Sequence, residues 1–246
     1  MHTEILDEVS IQRAYYQRTA GAYDAAHLQE QDREHLFALR ILDSIIDHFS
    51  IASLLDVGAG TGRVARYLKD RHSKLRIVSI EPVRELREIG YASGLSRAEL
   101  IDGNVNKLEF AASAFDLVCE FGVLHHVRRP AAAVAEMLRV ARTGIFISDC
   151  NNFGQGSGAT RALKQLLNAL KLWRVADLIK TRGKGFTVSE GDGLAYSYSV
   201  FDNYRQIARG CRTYLFNTQP AGINPYRTAH HVALLGIKMG ERLTPE

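Results

Sequence analysis

Three glycines at alternate positions, Gly58, Gly60 and Gly62, follow directly on the apolar and acidic stretch 54–57. Glycine lets the backbone turn sharply, adopt a positive φ and approach a ligand where a Cβ would clash. The stretch before the glycines predicts the buried end of a β-strand, and the apolar positions of residues 64–71 predict a helix. A strand, a glycine turn and a helix make half of a nucleotide-binding βαβ unit.

The spacing of these glycines is G-x-G-x-G, and Arg63 stands where the dinucleotide fingerprint G-x-G-x-x-G has its third glycine. That third glycine lets the helix and strand pack closely under a pyrophosphate. We therefore interpret the loop as a site for a nucleoside that carries no pyrophosphate. The alternative is a purely structural turn, because glycine turns occur in many α/β proteins.

A carboxylate stands at the end of the next predicted strand, where residues 75–80 lead into Glu81 and Pro82. Proline blocks extension of the strand. Glu81 lies 23 residues after Gly58, and an acidic residue near that offset accepts hydrogen bonds from ribose hydroxyls in nucleoside-binding βαβ units. We therefore predict a ribose contact for Glu81, with a chance acidic strand end as the alternative.

Two adjacent histidines, His125 and His126, follow the predicted strand 115–120. The crevice of an open α/β sheet lies beyond the carboxyl ends of its strands, so this loop should face the reacting group. Neighbouring residues do not share one face of a helix or strand, which argues against a two-histidine metal site. One histidine could line the site or act as a base, and the other could cap the next helix.

A magnesium site is the other metal candidate, because Asp149 is followed by Asn151 and Asn152. Oxygen ligands suit that ion. No further carboxylate partner is evident in the sequence, so we predict no metal.

The elements that must position these residues alternate between strand-like and helix-like patterns of apolar residues. Period-two or continuous apolar patterns predict strands at 54–57, 75–80, 99–105, 115–120, 144–149, 213–216 and 232–237. Apolar positions spaced by three and four predict helices at 29–49, 64–71, 130–142, 159–179 and 200–209. Strands alternating with helices favour a parallel α/β sheet.

The composition is that of an ordinary globular chain, with 246 residues, 46% hydrophobic and 24% charged. One large domain, or a domain plus a cap, is the natural expectation at this length. No apolar run reaches the ~18 residues that a membrane helix needs, and the N-terminus resembles no signal peptide. The three cysteines are isolated, fitting neither a disulfide framework nor a zinc site, so we expect a cytoplasmic protein.

Positive charge is concentrated in residues 161–184, which hold seven Lys and Arg against one Asp, an excess of +6. The whole chain has a net charge of only +4. Such a segment either meets an acidic partner or forms a well-solvated helix face. The helical pattern at 159–179 also has an apolar face, which we expect to pack over the crevice.

Two longer motifs resemble the class I S-adenosylmethionine (SAM)-dependent methyltransferases, in particular the small-molecule enzymes of methyltransferase type 11. Residues 115–127 match the family segment F-D-x-V…x-L-H-H-V, and residues 16–24 match its lead-in Y-x-x-x-A-x-x-Y-D. The glycine loop matches the family's first motif. The resemblance covers about residues 12–150 by motif and 200–238 by pattern only.

This resemblance implies a doubly wound, Rossmann-like fold in a single domain over residues 1–246. The family's sheet has seven mostly parallel strands and closes with an antiparallel C-terminal strand. The resemblance further implies that N-terminal helices within 1–50 fold over the cofactor. An inserted lid over residues 153–199 would cover the substrate.

The resemblance also implies which residues contact SAM. Asn104 stands where the family usually has an acid that holds the adenine amino group, and its side-chain carbonyl can accept the same hydrogen bond. The implied cofactor-binding residues are Asp56, Gly58, Ala59, Gly60, Thr61, Gly62, Glu81, Pro82, Asn104, Val105, Glu120, Phe121, Tyr16 and Tyr23. For the substrate we predict Tyr196, Tyr198 and Trp173, with core tyrosines as the equal alternative.

The implied function is methyl transfer from SAM to a small molecule, which would be anionic if the basic segment meets the acceptor rather than solvent. Nucleic acid is disfavoured, because residues 120–123 lack the D/N-P-P-Y type motif and Cys119 follows Val118 rather than a proline. Two alternatives stay open, an NAD(P)-dependent oxidoreductase and a non-catalytic SAM-binding protein. The sequence leaves open the attacking atom, the use of a general base and the oligomeric state.

Overall fold

The computed structural model describes residues 8–27, 33–189, 192–219 and 221–240. Its strands are β1 (Ser53–Val57), β2 (Arg76–Ile80), β3 (Leu100–Ile101), β4 (Phe115–Phe121), β5 (Ala141–Cys150), β6 (Phe186–Ser189), β7 (Gly193–Tyr196), β8 (Cys211–Asn217) and β9 (His231–Lys238). Its helices are α1 (Glu8–His27), α2 (Arg33–His48), α3 (Arg63–Lys69), α4 (Arg84–Ala92), α5 (Pro130–Val140), α6 (Gly158–Ala169), α7 (Trp173–Lys180), α8 (Val200–Ala208) and α9 (Pro225–Thr228). Tight 3₁₀ turns cover Leu124–His126 and Asn152–Gly154.

A seven-stranded sheet in the order β3-β2-β1-β4-β5-β9-β8 forms the centre of the molecule. The first five strands in this order are parallel, and β9 runs antiparallel to both β5 and β8. The strand order reverses between β1 and β4, which is where an open α/β sheet forms its binding crevice. The sheet confirms the predicted Rossmann-like fold with an antiparallel C-terminal strand.

Helices cover both faces of this sheet, because its central strands are apolar on both sides. All five residues of β1 are buried. On one face the core includes Leu39 and Leu42 of α2 with Leu68 of α3. On the other face it includes Val134 of α5 and Ile207 of α8. Of the helix predicted at 29–49, the structure describes α2 (Arg33–His48), which packs on the sheet as its amphipathic pattern predicts.

Several element boundaries differ from the sequence predictions. The third strand is only two residues long. The helix predicted to reach residue 142 ends at Val140, because Ala141 already pairs with Phe115 as the first residue of β5. The single helix predicted at 159–179 is two helices, α6 and α7, separated at Lys171, which has a φ of 59°. The antiparallel hairpin of β6 and β7 was not predicted.

The expectation that the apolar face of 159–179 packs over the crevice is wrong. No residue of α6 is buried, and Leu163, Leu166 and Leu170 are each 57% exposed. Ile179 of α7 is 75% exposed. The helical periodicity identified an apolar face but not the partner of that face. Within the described ranges, no helix combines the length and apolarity needed to cross a membrane.

Candidate active site

A cavity of about 490 Å³ opens at the carboxyl ends of the parallel strands. It lies at the topological switch point, where residues from separate parts of the chain meet. The lining includes these residues that the sequence analysis singled out: Tyr16, Gly58, Glu81, Pro82, Asn104, Val105, Phe121, His126 and Tyr196. From α1, Gln12 and Arg13 also line it. The sequence motifs and the first helix therefore converge on one space.

The other predicted site residues lie elsewhere. Those that do not line this cavity are Asp56, Ala59, Gly60, Thr61, Gly62, Glu120 and His125. Trp173 and Tyr198 line a second cavity of about 890 Å³, which shares Tyr196 with the first. Tyr198 is buried, and its hydroxyl donates to Asn203 Oδ1 at 2.9 Å, which favours the core alternative for this residue. The side chain of Tyr23 lies outside the described part of the chain.

The glycine loop needs its glycines for different reasons. Gly58, Gly60 and Gly62 have φ angles of +70°, +59° and +79°, a region that side chains with a Cβ rarely adopt. A Cβ on Gly58 would lie 2.5 Å from Val123 Cγ2, and one on Gly62 would lie 2.1 Å from Leu95 Cδ1. Gly62 therefore permits packing of α3, whereas Gly58 faces the cavity.

Glu81 holds this loop against the end of β2. Its Oε2 accepts a hydrogen bond from Gly60 N at 3.0 Å, and its Oε1 accepts one from Val83 N at 2.8 Å. The side chain is buried, and burial raises the pKa of Glu81 to about 7. A carboxylate has about four acceptor positions, so the two backbone bonds leave acceptor capacity for a ligand hydroxyl in the cavity that Glu81 lines.

Four strands of the sheet have a buried carboxyl group at their carboxyl ends, namely Asp56, Glu81, Glu120 and Asp149. Burial raises the pKa of Asp56 to about 7 and that of Glu120 well above its usual value. Burial opposes ionisation of Asp149 too, but its ion pair with His125 lowers the pKa of Asp149 to about 2. Asp149 is therefore the ionised carboxylate of this set, and it forms an ion pair with His125.

His125 and His126 share one 3₁₀ turn and lie on the same side of it. Their ring centroids are 3.9 Å apart. His125 Nε2 lies 3.3 Å from Asp192 Oδ2, and His126 Nε2 lies 3.4 Å from Asp192 Oδ1. The prediction that adjacent histidines cannot face one point is wrong here, because they stand in a tight turn rather than in a regular helix or strand.

Asp192 and Gln12 are site residues that sequence reasoning missed. Gln12 Oε1 accepts a hydrogen bond from Leu194 N at 2.5 Å, which joins α1 to β7 beside the histidines. Tyr16 Oη lies 3.1 Å from His126 Nε2. The only local signal for Asp192 was its place between two glycines, which predicts a turn rather than a site.

The Asn151 side chain, a candidate magnesium ligand, forms hydrogen bonds to other parts of the chain. Its Nδ2 donates to the carbonyl oxygens of Tyr226 at 2.8 Å and Ala229 at 2.9 Å, and its Oδ1 accepts from Ser199 Oγ at 2.8 Å. These bonds fasten β5 to the C-terminal segment. The oxygen that a magnesium ion would need at this position is already engaged.

Sequence comparison places a known domain over this site. A family model described as a methyltransferase domain matches residues 55–148, which include the glycine loop, Glu81 and both histidines. An uncharacterized methyltransferase of Schizosaccharomyces pombe is 28% identical over 105 residues. That alignment covers 38% of this chain and 37% of the relative, so it spans little more than a third of either protein.

Solved structures extend the likeness to nearly the whole chain. A SAM-dependent methyltransferase of Thermotoga maritima, a possible histamine N-methyltransferase, is 16% identical, with a TM-score of 0.57 over 92% of this chain and 99% of that one. The magnesium protoporphyrin IX methyltransferase of Synechocystis with bound S-adenosylhomocysteine (SAH) is 12% identical, with a TM-score of 0.58 over 94% and 100%. At such identities these likenesses establish the fold alone. Residues 55–148 of this chain thus match a methyltransferase domain, within a fold that these SAM-dependent methyltransferases share.

Proposed function

We propose that this protein transfers the methyl group of SAM to a small-molecule acceptor. The observation that carries the proposal is the first cavity, where Gly58 and Glu81 meet the loops after β3 and β4. A backbone-lined glycine turn accommodates a nucleoside, and a carboxylate beside it accepts hydrogen bonds from ribose. Asn104 lies at the same cavity. Its Oδ1 accepts hydrogen bonds from Asn106 N at 2.9 Å and Asn106 Nδ2 at 3.0 Å, so an adenine amino group would have to replace one of them.

Methyl transfer from SAM requires the protein mainly to align the acceptor with the methyl group. The sulfonium of SAM is already an activated methyl donor, so the enzyme has mainly to orient the nucleophile and exclude water. Gln12, Arg13 and Tyr16 of α1 line the cavity and support a covering role for that helix. A general base is needed only when the acceptor must lose a proton early, and His125 and His126 stay the candidates for it.

The second cavity supports an anionic acceptor. It shares Tyr196 with the first cavity and is lined by four basic residues, Arg128, Arg129, Lys171 and Arg174. Its acidic residues are Asp177 and Asp202, and burial raises the pKa of Asp202 to about 6. The excess of positive charge favours an acceptor bearing a carboxylate or phosphate.

A cytoplasmic location is the remaining part of this proposal. The three cysteines Cys119, Cys150 and Cys211 are unpaired as disulfides, and two of them are buried. Isolated thiols of this kind are typical of a reducing compartment.

We expect calorimetry to show one-to-one binding of SAM and SAH and no binding of NAD⁺ or NADP⁺. When this protein is incubated with cell extract and methyl-labelled SAM, it should transfer the label to a small anionic acceptor, and mass spectrometry should detect the labelled product. Binding of NAD(P) without SAM would favour the oxidoreductase. SAM binding without labelled product from any extract fraction would favour the non-catalytic binder.

A further inference from the structure

Three potential metal ligands converge beside the first cavity. His125, His126 and Asp192 each offer one ligand atom, and these atoms all lie within 4.8 Å of one another. They come from two segments, the turn after β4 and the residue before β7. Both histidine side chains are only slightly exposed, at 14% and 11%, whereas Asp192 is 45% exposed, so the cluster can be reached from solvent.

The separations between these atoms fit a metal site better than direct hydrogen bonds. The two histidine–aspartate distances are 3.3 Å and 3.4 Å. N–H···O hydrogen bonds have a typical length of about 2.9–3.0 Å. Ligands that hold a tetrahedral ion at about 2.0–2.1 Å lie roughly 3.3 Å apart from each other. The two histidine–aspartate separations therefore match the spacing between the ligands of a chelated ion.

The opposite nitrogen of each ring is already engaged. His125 Nδ1 lies 2.7 Å from Asp149 Oδ1, and His126 Nδ1 lies 2.6 Å from the carbonyl oxygen of Leu194. In the tautomer that donates the Nδ1 proton to this acceptor, each ring presents its Nε2 lone pair towards Asp192. A carboxylate or carbonyl behind each ligating histidine is the usual support of a metal site.

We propose that His125, His126 and Asp192 bind a divalent transition metal, such as Zn²⁺ or Fe²⁺. Two imidazoles and one carboxylate suit these ions, whereas Mg²⁺ and Ca²⁺ prefer oxygen donors. Three protein ligands leave positions open for an exogenous donor. Tyr16 Oη lies 3.1 Å from His126 Nε2 and has to give up any bond to that nitrogen when the ion binds.

A metal-free explanation of the same cluster makes a different prediction. A protonated His125 between Asp149 and Asp192 would form an ion pair that fastens the β6–β7 hairpin over the site. In that case the cluster would have no particular affinity for metal. Direct measurement of metal binding therefore separates the two explanations, and it does not depend on the proposed methyl transfer.

The test is calorimetric titration of chelator-treated protein with Zn²⁺, with Fe²⁺ under anaerobic conditions, and with Mg²⁺. We expect one saturable site for a transition metal and none for Mg²⁺. Asp192→Asn and His126→Gln should each lower that affinity at least tenfold, and Asp149→Asn by about 10–100-fold through the support of His125. Elemental analysis of protein purified without chelator gives a second readout.

His48→Gln is the matched control, because His48 is exposed on α2 and belongs to no candidate ligand group. It should leave metal binding unchanged. Circular dichroism melts of all variants verify that they are folded. Absence of a saturable transition-metal site in native protein, or a site that survives both Asp192→Asn and His126→Gln, would overturn the proposal.

A second inference rests on the exterior of the lid. Exposed apolar residues recur at spacings of three and four in both helices: Leu163 and Leu166 of α6 with its C-cap Leu170, and Val175, Leu178 and Ile179 of α7. We call this set the lid face. Single exposed apolar residues are ordinary on protein surfaces, but a large apolar group indicates an interaction site. The lid face is concentrated in two adjacent helices.

The charge around the lid face is positive. Lys171, Arg174, Lys180, Arg182 and Lys184 are all exposed. The one acidic residue of the segment, Asp177, is buried and accepts a hydrogen bond from the Ser197 hydroxyl. An exposed apolar stripe accompanied by Lys and Arg is the pattern of helices that lie in the interface of an anionic membrane.

We infer that the lid face docks the protein onto an anionic lipid surface. A second copy of the chain is the obvious alternative occupant. A two-fold symmetric dimer, however, would place this patch against itself and bring two strongly basic segments together. Anionic headgroups neutralise the same charge while the leucines enter the acyl boundary. Charge complementarity therefore favours the membrane surface.

Sedimentation with vesicles tests this inference on the whole protein. We expect binding to an equal mixture of phosphatidylcholine and phosphatidylglycerol, and at least tenfold weaker binding to phosphatidylcholine alone. Leu163, Leu166 and Leu170 changed together to Asp should abolish it. Lys180, Arg182 and Lys184 changed together to Glu should remove the preference for anionic lipid, and added salt should weaken binding by native protein.

The matched control changes Leu36, Ile223 and Met239 together to Asp, because these exposed apolar residues lie outside the lid. It should bind vesicles as native protein does. Light scattering measures the oligomeric state in parallel. Equal sedimentation of native protein and the leucine variant, or a native dimer that this variant converts to a monomer without any vesicle binding, would overturn the inference.

Discussion

Gly60→Val is expected to reduce SAM binding below detection while the protein keeps its fold. Gly60 has a φ of +59°, where a β-branched residue is strained by roughly 1–3 kcal/mol. Its N–H donates to Glu81 Oε2 at 3.0 Å, so a loop that relaxes the strain also releases the carboxylate proposed to bind ribose. Calorimetry with SAM and with SAH measures the effect, and thermal melting verifies the fold.

Gly183→Val is the matched control for that substitution. Gly183 also has a positive φ, +83°, but a Cβ there would meet no atom within 4 Å, and the residue lies in the loop after α7. Its backbone strain is similar, whereas its distance from the first cavity should spare SAM affinity. Equal SAM affinity in native protein and Gly60→Val would place the cofactor away from the glycine loop.

The parts of the site that the sequence predicted are local in the chain. The glycine loop stands between β1 and α3, and Glu81 directly follows β2. Strand ends, glycine turns and the offset between them can be recognised within about thirty residues. Because parallel strands bring their carboxyl ends to one edge, the convergence of Gly58, Glu81, Asn104 and His126 on one cavity could also be predicted.

Contacts between distant segments were beyond the reach of these patterns. Asp192 approaches His125 across 67 residues, and Gln12 reaches His126 across 114. Both depend on where the β6–β7 hairpin and α1 pack, and neither position is encoded by a periodicity or a spacing. The same reason explains why the packing of α6 and α7 was predicted wrongly, since an amphipathic pattern defines an apolar face without defining what covers it.

His125 and His126 show a different limit of prediction from sequence patterns. Reasoning from regular geometry separates adjacent side chains, and that reasoning holds for helices and strands. His125 and His126 stand in a three-residue 3₁₀ turn between β4 and α5. A short irregular turn at a strand end is where functional residues are often found, so pattern rules are weakest where the chemistry is most probable.

Glu81→Gln is expected to weaken SAM and SAH alike by about 10–150-fold. The loss of hydrogen bonds to a charged acceptor costs roughly 1.5–3 kcal/mol, and both ligands carry the same ribose. The amide keeps the shape of the side chain, and its one oxygen can still accept a backbone N–H. Glu81→Ala also removes the bonds to Gly60 and Val83, so it should lose at least as much affinity.

Two further measurements distinguish a ribose contact from loop support. Native protein should prefer adenosine to 2′,3′-dideoxyadenosine, and Glu81→Gln should bind the two equally. Burial raises the pKa of Glu81 to about 7, and only the ionised carboxylate offers all its oxygen lone pairs to hydroxyl donors. SAH affinity should therefore rise as the pH increases through 7 in native protein and stay level in Glu81→Gln. A variant that kept the preference for adenosine would restrict Glu81 to holding the glycine loop.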